Sequence, residues 1–155
     1  MTGQVYGCFY NPSTSAYDFA AVEYSNGIKS IIRPCDMYIA VAARADGSIY
    51  AIKYKDSSLY RIDKETGEET LIGETGIKVG DYLQSATFDR TADVMYWAAS
   101  DETGTTMLCT VNVETGRANV LAHFADAEQL SCLYVPYIAA AAPPAQPADP
   151  PLNFA

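Results

Sequence analysis

Leu59-Tyr60-Arg61-Ile62-Asp63-Lys64-Glu65-Thr66-Gly67 aligns without a gap on Leu108-Cys109-Thr110-Val111-Asn112-Val113-Glu114-Thr115-Gly116. Each copy runs into a second apolar segment, Thr70-Leu71-Ile72 in the first and Asn119-Val120-Leu121 in the second. A strand, a Glu-Thr-Gly turn and another strand, recurring after about fifty residues, mark a repeat array whose units bury their apolar faces only by stacking on one another.

Short apolar or alternating runs separated by Gly, Asn, Asp and Ser turns predict antiparallel strands. Met37 to Ala43, Ser48 to Tyr54, Ser58 to Asp63 and Glu69 to Gly73 form one up-and-down group of four. The turns Ala45-Asp46-Gly47, Lys55-Asp56-Ser57 and Lys64-Glu65-Thr66-Gly67 join them, glycine supplying the positive φ of a tight reversal. Leu83 to Asp89, Val94 to Ser100, Met107 to Val113 and Ala118 to Phe124 repeat the order.

A third group is visible at the ends. Val5-Tyr6-Gly7-Cys8, within Gln4 to Tyr10, aligns with the second-strand segment Ile49-Tyr50-Ala51-Ile52. Phe19-Ala20-Ala21-Val22 with Gly27 aligns with the third, and Ile28 to Ile32 is the fourth. The missing first strand has a counterpart in Gln129-Leu130-Ser131-Cys132-Leu133-Tyr134-Val135, which reads as a lone first strand. Val94-Met95-Tyr96-Trp97-Ala98-Ala99 and Phe19-Ala20-Ala21-Val22 are apolar on both faces, so the sheets are covered on both sides rather than wetted on one. Radial stacking of four-stranded blades meets that demand. The expected fold is therefore all-β, a partial β-propeller of about three four-stranded antiparallel blades, one split between the termini.

Composition narrows the partners. A formal net charge of -9 argues against a nucleic-acid backbone or an anionic membrane surface as partner, since both select clustered Lys and Arg. No apolar run is long enough to cross a bilayer, and no signal peptide is visible. The acidic residues spread over turns, which reads as a solvated rim rather than a metal site. Cys8, Cys35, Cys109 and Cys132 lack C-x-x-C spacing and do not cluster with His123, which argues against zinc. Cys8, Cys109 and Cys132 fall in apolar strand patterns, so the expectation is buried free thiols. After Tyr137 the run Ala139-Ala140-Ala141-Ala142-Pro143-Pro144 opens a proline-rich spacer. The expected organisation is a partial propeller over 1–137, an Ala/Pro-rich linker over 138–151 and the start of a following domain over 152–155.

The Leu-Tyr-x-Ile-Asp-x-x-Thr-Gly element at Leu59 to Gly67, with its partner at Leu108 to Gly116, resembles the repeat of secreted bacterial β-propellers. Tyr82-Leu83-Gln84-Ser85-Ala86-Thr87-Phe88-Asp89, followed by Tyr96-Trp97-Ala98-Ala99, is similar to a subset in surface proteins of gut anaerobes. The resemblance implies an extracellular or cell-surface location and a proline-rich spacer leading to fibronectin-III-like modules. Three blades are too few for a ring, which usually takes four to eight. Either the chain is a fragment of a longer product, or two copies pair head to tail as a homodimer that closes a six-bladed ring, Gln129 to Val135 of each completing the Gln4 to Ile32 sheet of the other.

Chemistry is sparsely encoded. His123, the one histidine, lies on an outer strand away from any axial site, and no G-x-S-x-G, H-E-x-x-H or phosphate-cradling loop occurs. Ser100-Asp101-Glu102-Thr103-Gly104-Thr105-Thr106 is only loosely similar to a sialidase-type turn, itself structural. No catalytic residue, metal or cofactor is assigned. Of the aromatic residues, Tyr6, Tyr50 and Tyr96 recur at one second-strand position and read as blade core, whereas Tyr38 and Tyr82 open inner strands beside Asp36, Asp81 and Gln84. Those five are the candidate ligand-binding rim, suited to a glycan or a protein surface. The functional expectation is a non-catalytic scaffold or carbohydrate- or protein-binding platform. The opposing one is a propeller-type glycoside hydrolase or lyase using axial carboxylates such as Asp36 and Asp81.

Overall fold

The computed structural model describes residues 4–136. The expected linker over 138–151 and the segment 152–155 lie outside the described residues. Eleven strands form three antiparallel sheets, each in sequence order. The first sheet holds β1 (Gln4–Asn11), β2 (Ala16–Glu23) and β3 (Lys29–Cys35). The second holds β4 (Tyr38–Ala43), β5 (Ile49–Lys53), β6 (Ser58–Ile62) and β7 (Glu69–Glu74). The third holds β8 (Ser85–Asp89), β9 (Val94–Ser100), β10 (Thr106–Val111) and β11 (Ala118–His123).

The second sheet lies between the other two and touches both. Phe19 of the first sheet packs with Tyr38, Ile49, Ala51 and Ile62 on one face of the second. Ile39, Tyr50, Ile52 and Leu59 on its other face meet Phe88, Met95, Trp97 and Cys109 of the third. This is why all of β5 is buried and its sequence does not alternate. Each side chain of the strand has a neighbouring sheet to cover it. The sheets converge on their first strands, with β4 against β8.

The three sheets share finer marks. In each, the last strand carries one extra residue at the same place, between the partners of Phe19 and Ala20, of Leu59 and Tyr60, and of Leu108 and Cys109. In each, the last hairpin is the same corner. Gly27, Gly67 and Gly116 take φ of 72°, 68° and 82° and donate their N–H to the carbonyls of Glu23, Asp63 and Asn112. Glutamate, aspartate and asparagine thus occupy equivalent positions, and the backbone turn outlasts the change of side chain.

Residues 129–135 depart from expectation. They hold no place in a strand ladder, although the Leu133 N–H donates to Ser85 Oγ at 2.9 Å, beside the first strand of the third sheet. The reason is topological: the free edge of β1 lies on the opposite flank of the stack, with the second sheet between. Cys132, expected as a buried thiol, is consequently exposed. Cys109 is buried, which pushes its thiol up to about 11, while Cys8 and Cys35 are half-buried with their sulfurs 3.8 Å apart.

Candidate functional site

The five rim residues divide into two groups at the entrances to β4 and β8. Asp36 and Tyr38 flank the start of β4, where Lys53 arrives at the end of β5. The Lys53 ammonium donates to Asp36 Oδ2 at 3.2 Å and to Glu69 Oε2 at 2.5 Å, and stands 4.3 Å above the Tyr60 ring. Tyr38 is buried, tilts against Phe19 and donates its hydroxyl to the other oxygen of Glu69. Burial, then the Glu69 contact, pushes the Tyr38 phenol well above the ordinary tyrosine value. Burial opposes the charge on Lys53, yet Glu69 and Asp36 outweigh it and hold the ammonium above the usual lysine value. Asp36 also lines an open cleft of about 570 Å³ between β3 and β7, with Arg33, Cys35, Glu68 and Glu69.

The second group behaves differently. Asp81 is fixed by three donors: the Gln129 side-chain amide at 2.7 Å, and the Tyr82 and Leu83 N–H groups at 2.6 and 3.3 Å. These bonds, the Gln129 one foremost, hold its carboxyl below the ordinary aspartate value. Gln84, expected at the rim, is buried. Its amide donates to the carbonyls of Asp81 and Ser100 at 2.7 and 3.0 Å, and its oxygen accepts the Trp97 indole N–H at 3.0 Å. Gln84 therefore braces the fully buried Trp97.

Tyr82 is 63% exposed and stacks on Tyr54, with ring centroids 5.1 Å apart and planes 28° from parallel. Tyr54 follows β5 and donates its backbone N–H to the Met37 carbonyl, next to Asp36. This pair joins the two groups along one end of the blades, in the order Asp36, Met37, Tyr54, Tyr82, Asp81. Sequence reasoning missed Tyr54 because it reads as the last residue before the Lys55-Asp56-Ser57 turn. Its partner Tyr82 lies in the segment entering β8, across the blade boundary, so nothing within its own strand marks it.

The remaining candidates stay apart. His123 is exposed on β11. Asp101 closes its own turn: burial works against the charge, but the Thr103 hydroxyl and the Thr103 and Thr105 N–H groups keep its carboxyl low. Among the described residues, no three of the His, Cys, Asp and Glu side chains converge as metal ligands would.

No protein-family model matches the chain, and no curated protein matches it in sequence. Solved structures do match in fold. A chain of the nidogen/laminin complex is similar over 82% of this chain and 46% of its own, with a TM-score of 0.61 and 14% identity. A gluconolactonase from Xanthomonas campestris is similar over 74% of this chain and 37% of its own, with a TM-score of 0.55 and 11% identity. At that identity the likeness concerns fold alone, and the chain spans less than half the length of either. Three stacked antiparallel sheets converging on their first strands, with these neighbours, define a partial β-propeller.

Proposed function

We propose that this partial propeller is a non-catalytic platform of a bacterial surface or secreted protein, binding a glycan or a protein segment across the Tyr54–Tyr82 pair. The observation that carries the reading is the stacked pair itself, one ring largely exposed and the ridge flanked by Asp36 and Asp81. Aromatic faces offer apolar area to the C–H face of a sugar or to an apolar side chain, and flanking carboxylates accept its hydroxyl or amide hydrogens.

The carboxylates favour binding over acid catalysis. A glycosidase acid is held protonated by a raised pKa. Asp81 is held low instead, and Glu69 is tied to Lys53 and Tyr38. The placement outside the cell rests on the Leu-Tyr-x-Ile-Asp-x-x-Thr-Gly resemblance, as does the kinship with propellers of gut anaerobes. Folds of this kind host binding proteins and hydrolases alike, so the site has to decide.

A glycan array probed with the purified chain, followed by titration of the best binder against Tyr82→Ala and Tyr54→Ala, tests the reading. Affinity should fall at least tenfold in both variants with the melting curve unchanged in Tyr82→Ala. Binding that survives both changes would defeat it. Hydrolysis of glycosides or lactones that disappears in Asp36→Asn or Asp81→Asn would replace it with the enzymatic alternative.

A further inference from the structure

The two outer flanks of the stack carry the two halves of the contact that joins one blade to the next. The shared extra-residue position fixes the equivalences: Val5, Ile49 and Met95 correspond, as do Tyr6, Tyr50 and Tyr96. Ile49 and Met95 each face the preceding blade and are 3% and 1% exposed, whereas Val5, on the outer face of the first sheet, is 56% exposed. Tyr50 faces the following blade, is buried and packs on Phe88, whereas Tyr96 is half-buried on the face of the third sheet opposite to Met95 and Trp97, which meet the second sheet.

The corners say the same. A Cβ on Gly67 would lie 2.7 Å from the Arg33 Cβ of the preceding blade, and one on Gly116 would lie 2.8 Å from Gly73 Cα. Arg33 and Gly73 pair with Phe19 and Leu59, at the equivalent place on each last strand. The third such position, Ala122 opposite Leu108, has no corner against it, and the third corner, Gly27, meets nothing within 4 Å. Buried polar side-chain atoms without a hydrogen-bond partner fall on the first and third sheets. The carboxylate acceptor Asp18 Oδ2 is on the first sheet, and the hydroxyl donors of Ser100 and Thr106 are on the third.

We propose that a second copy of this chain joins these flanks, two copies closing a six-bladed ring in which residues 131–135 of each form the first strand of the other's first sheet. Ser85-Ala86-Thr87-Phe88-Asp89 aligns with Ser131-Cys132-Leu133-Tyr134-Val135. The register of β8 on β9 then sets Cys132 opposite the partner's Gly7 and Tyr134 opposite the partner's Val5. The partner's Gly27 corner seats on Ala122. Three blades fall below the usual minimum of four for a ring, so these edges call for further blades to cover them. Two closures related by one two-fold axis leave no free edge, the common solution for an exposed strand.

The test uses the 155-residue chain. Sedimentation equilibrium should give a dimer. The variant Val5→Cys/Tyr134→Cys, incubated with oxidised glutathione, should form a covalent dimer mapped to positions 5 and 134. Two thiols there lose two protons and two electrons, and glutathione disulfide is reduced to two thiols. Gly27→Asn keeps a residue type that tolerates positive φ and meets no neighbour within one copy, so it should fold yet sediment as a monomer. Gly104→Asn, also at positive φ in open space, should remain dimeric. A monomeric wild-type chain overturns the proposal, as does a dimer that fails to cross-link at these positions or one that tolerates Gly27→Asn.

Discussion

Gly73 and Gly116 lie backbone to backbone where the second and third blades meet, so close that a Cβ on either would enter the main chain of the other segment. Gly73 sits on β7 at the extra-residue position, and Gly116 ends the Asn112 corner with φ of 82°. Outer strands of neighbouring blades diverge from the axis, so this corner is the point at which one blade bears on the next far from the core.

Gly73→Ala should therefore destabilise the fold by about 1–3 kcal/mol, the usual cost of overpacking a site that cannot yield. Gly116→Asn tolerates the positive φ and isolates the steric part, and it should fall in the same range. Urea unfolding followed by Trp97 fluorescence measures both. Unchanged midpoints would mean the blades do not bear on each other there.

Gln84→Met should weaken the fold rather than any ligand. It leaves the buried Trp97 indole N–H and the Asp81 and Ser100 carbonyls without their side-chain partner. An unsatisfied buried group costs about 1–3 kcal/mol. The expected result is an earlier urea midpoint and altered Trp97 emission, with Tyr82-dependent binding retained. Loss of binding without loss of stability would return Gln84 to the rim.

Lys53 is the buried centre of the Asp36, Glu69 and Tyr38 cluster, and its removal takes the cation from two carboxylates that border the open cleft. Lys53→Met should cost about 1.5–3 kcal/mol, the usual worth of hydrogen bonds to charged groups, because both carboxylates stay within reach of water. The pH dependence has a definite sign. Lys53 and Tyr38 are both held above their ordinary values, so their stabilising contribution is complete below about pH 10 and is lost as pH rises through the shifted values. Wild-type stability should fall above about pH 10. That alkaline slope should be shallower in Lys53→Met and Tyr38→Phe, as read by melting temperature across the series.

Much of the architecture was legible because it is local. Alternating runs between Gly and Asp turns located all eleven strands within a few residues, and the Glu-Thr-Gly corners announced the repeat. What escaped depends on which segments meet. Gly73 carries no signature inside its strand, since its reason is a carbonyl of another blade. Tyr38 and Gln84 looked like rim residues because they sit at strand entrances, but Phe19 covers one and Trp97 claims the other. Residues 129–135 have the pattern of a strand and no ladder, because a pattern supplies one edge and pairing needs two.

The equivalent corners make a last prediction that separates side chain from backbone. Asp63 Oδ1 accepts the Glu65 and Thr66 N–H groups at 2.8 and 2.9 Å, and Asn112 Oδ1 accepts those of Glu114 and Thr115 at 2.9 and 3.0 Å. An amide oxygen thus fills the same place as a carboxylate, and the negative charge adds an increment that depends on pH. The Thr66 and Glu65 N–H groups hold the Asp63 carboxyl below its ordinary value. Its contribution is therefore present above the unfolded aspartate value and lost as pH falls through the folded one. Asp63→Asn should lower the melting temperature at pH 7 only by the small increment of the charge and reduce its fall below about pH 4. Asp63→Ala should lower it at every pH, because two turn N–H groups then turn to water. If the asparagine variant melts as early as the alanine one, the charge rather than the accepting oxygen builds the corner, and the equivalence with Asn112 fails.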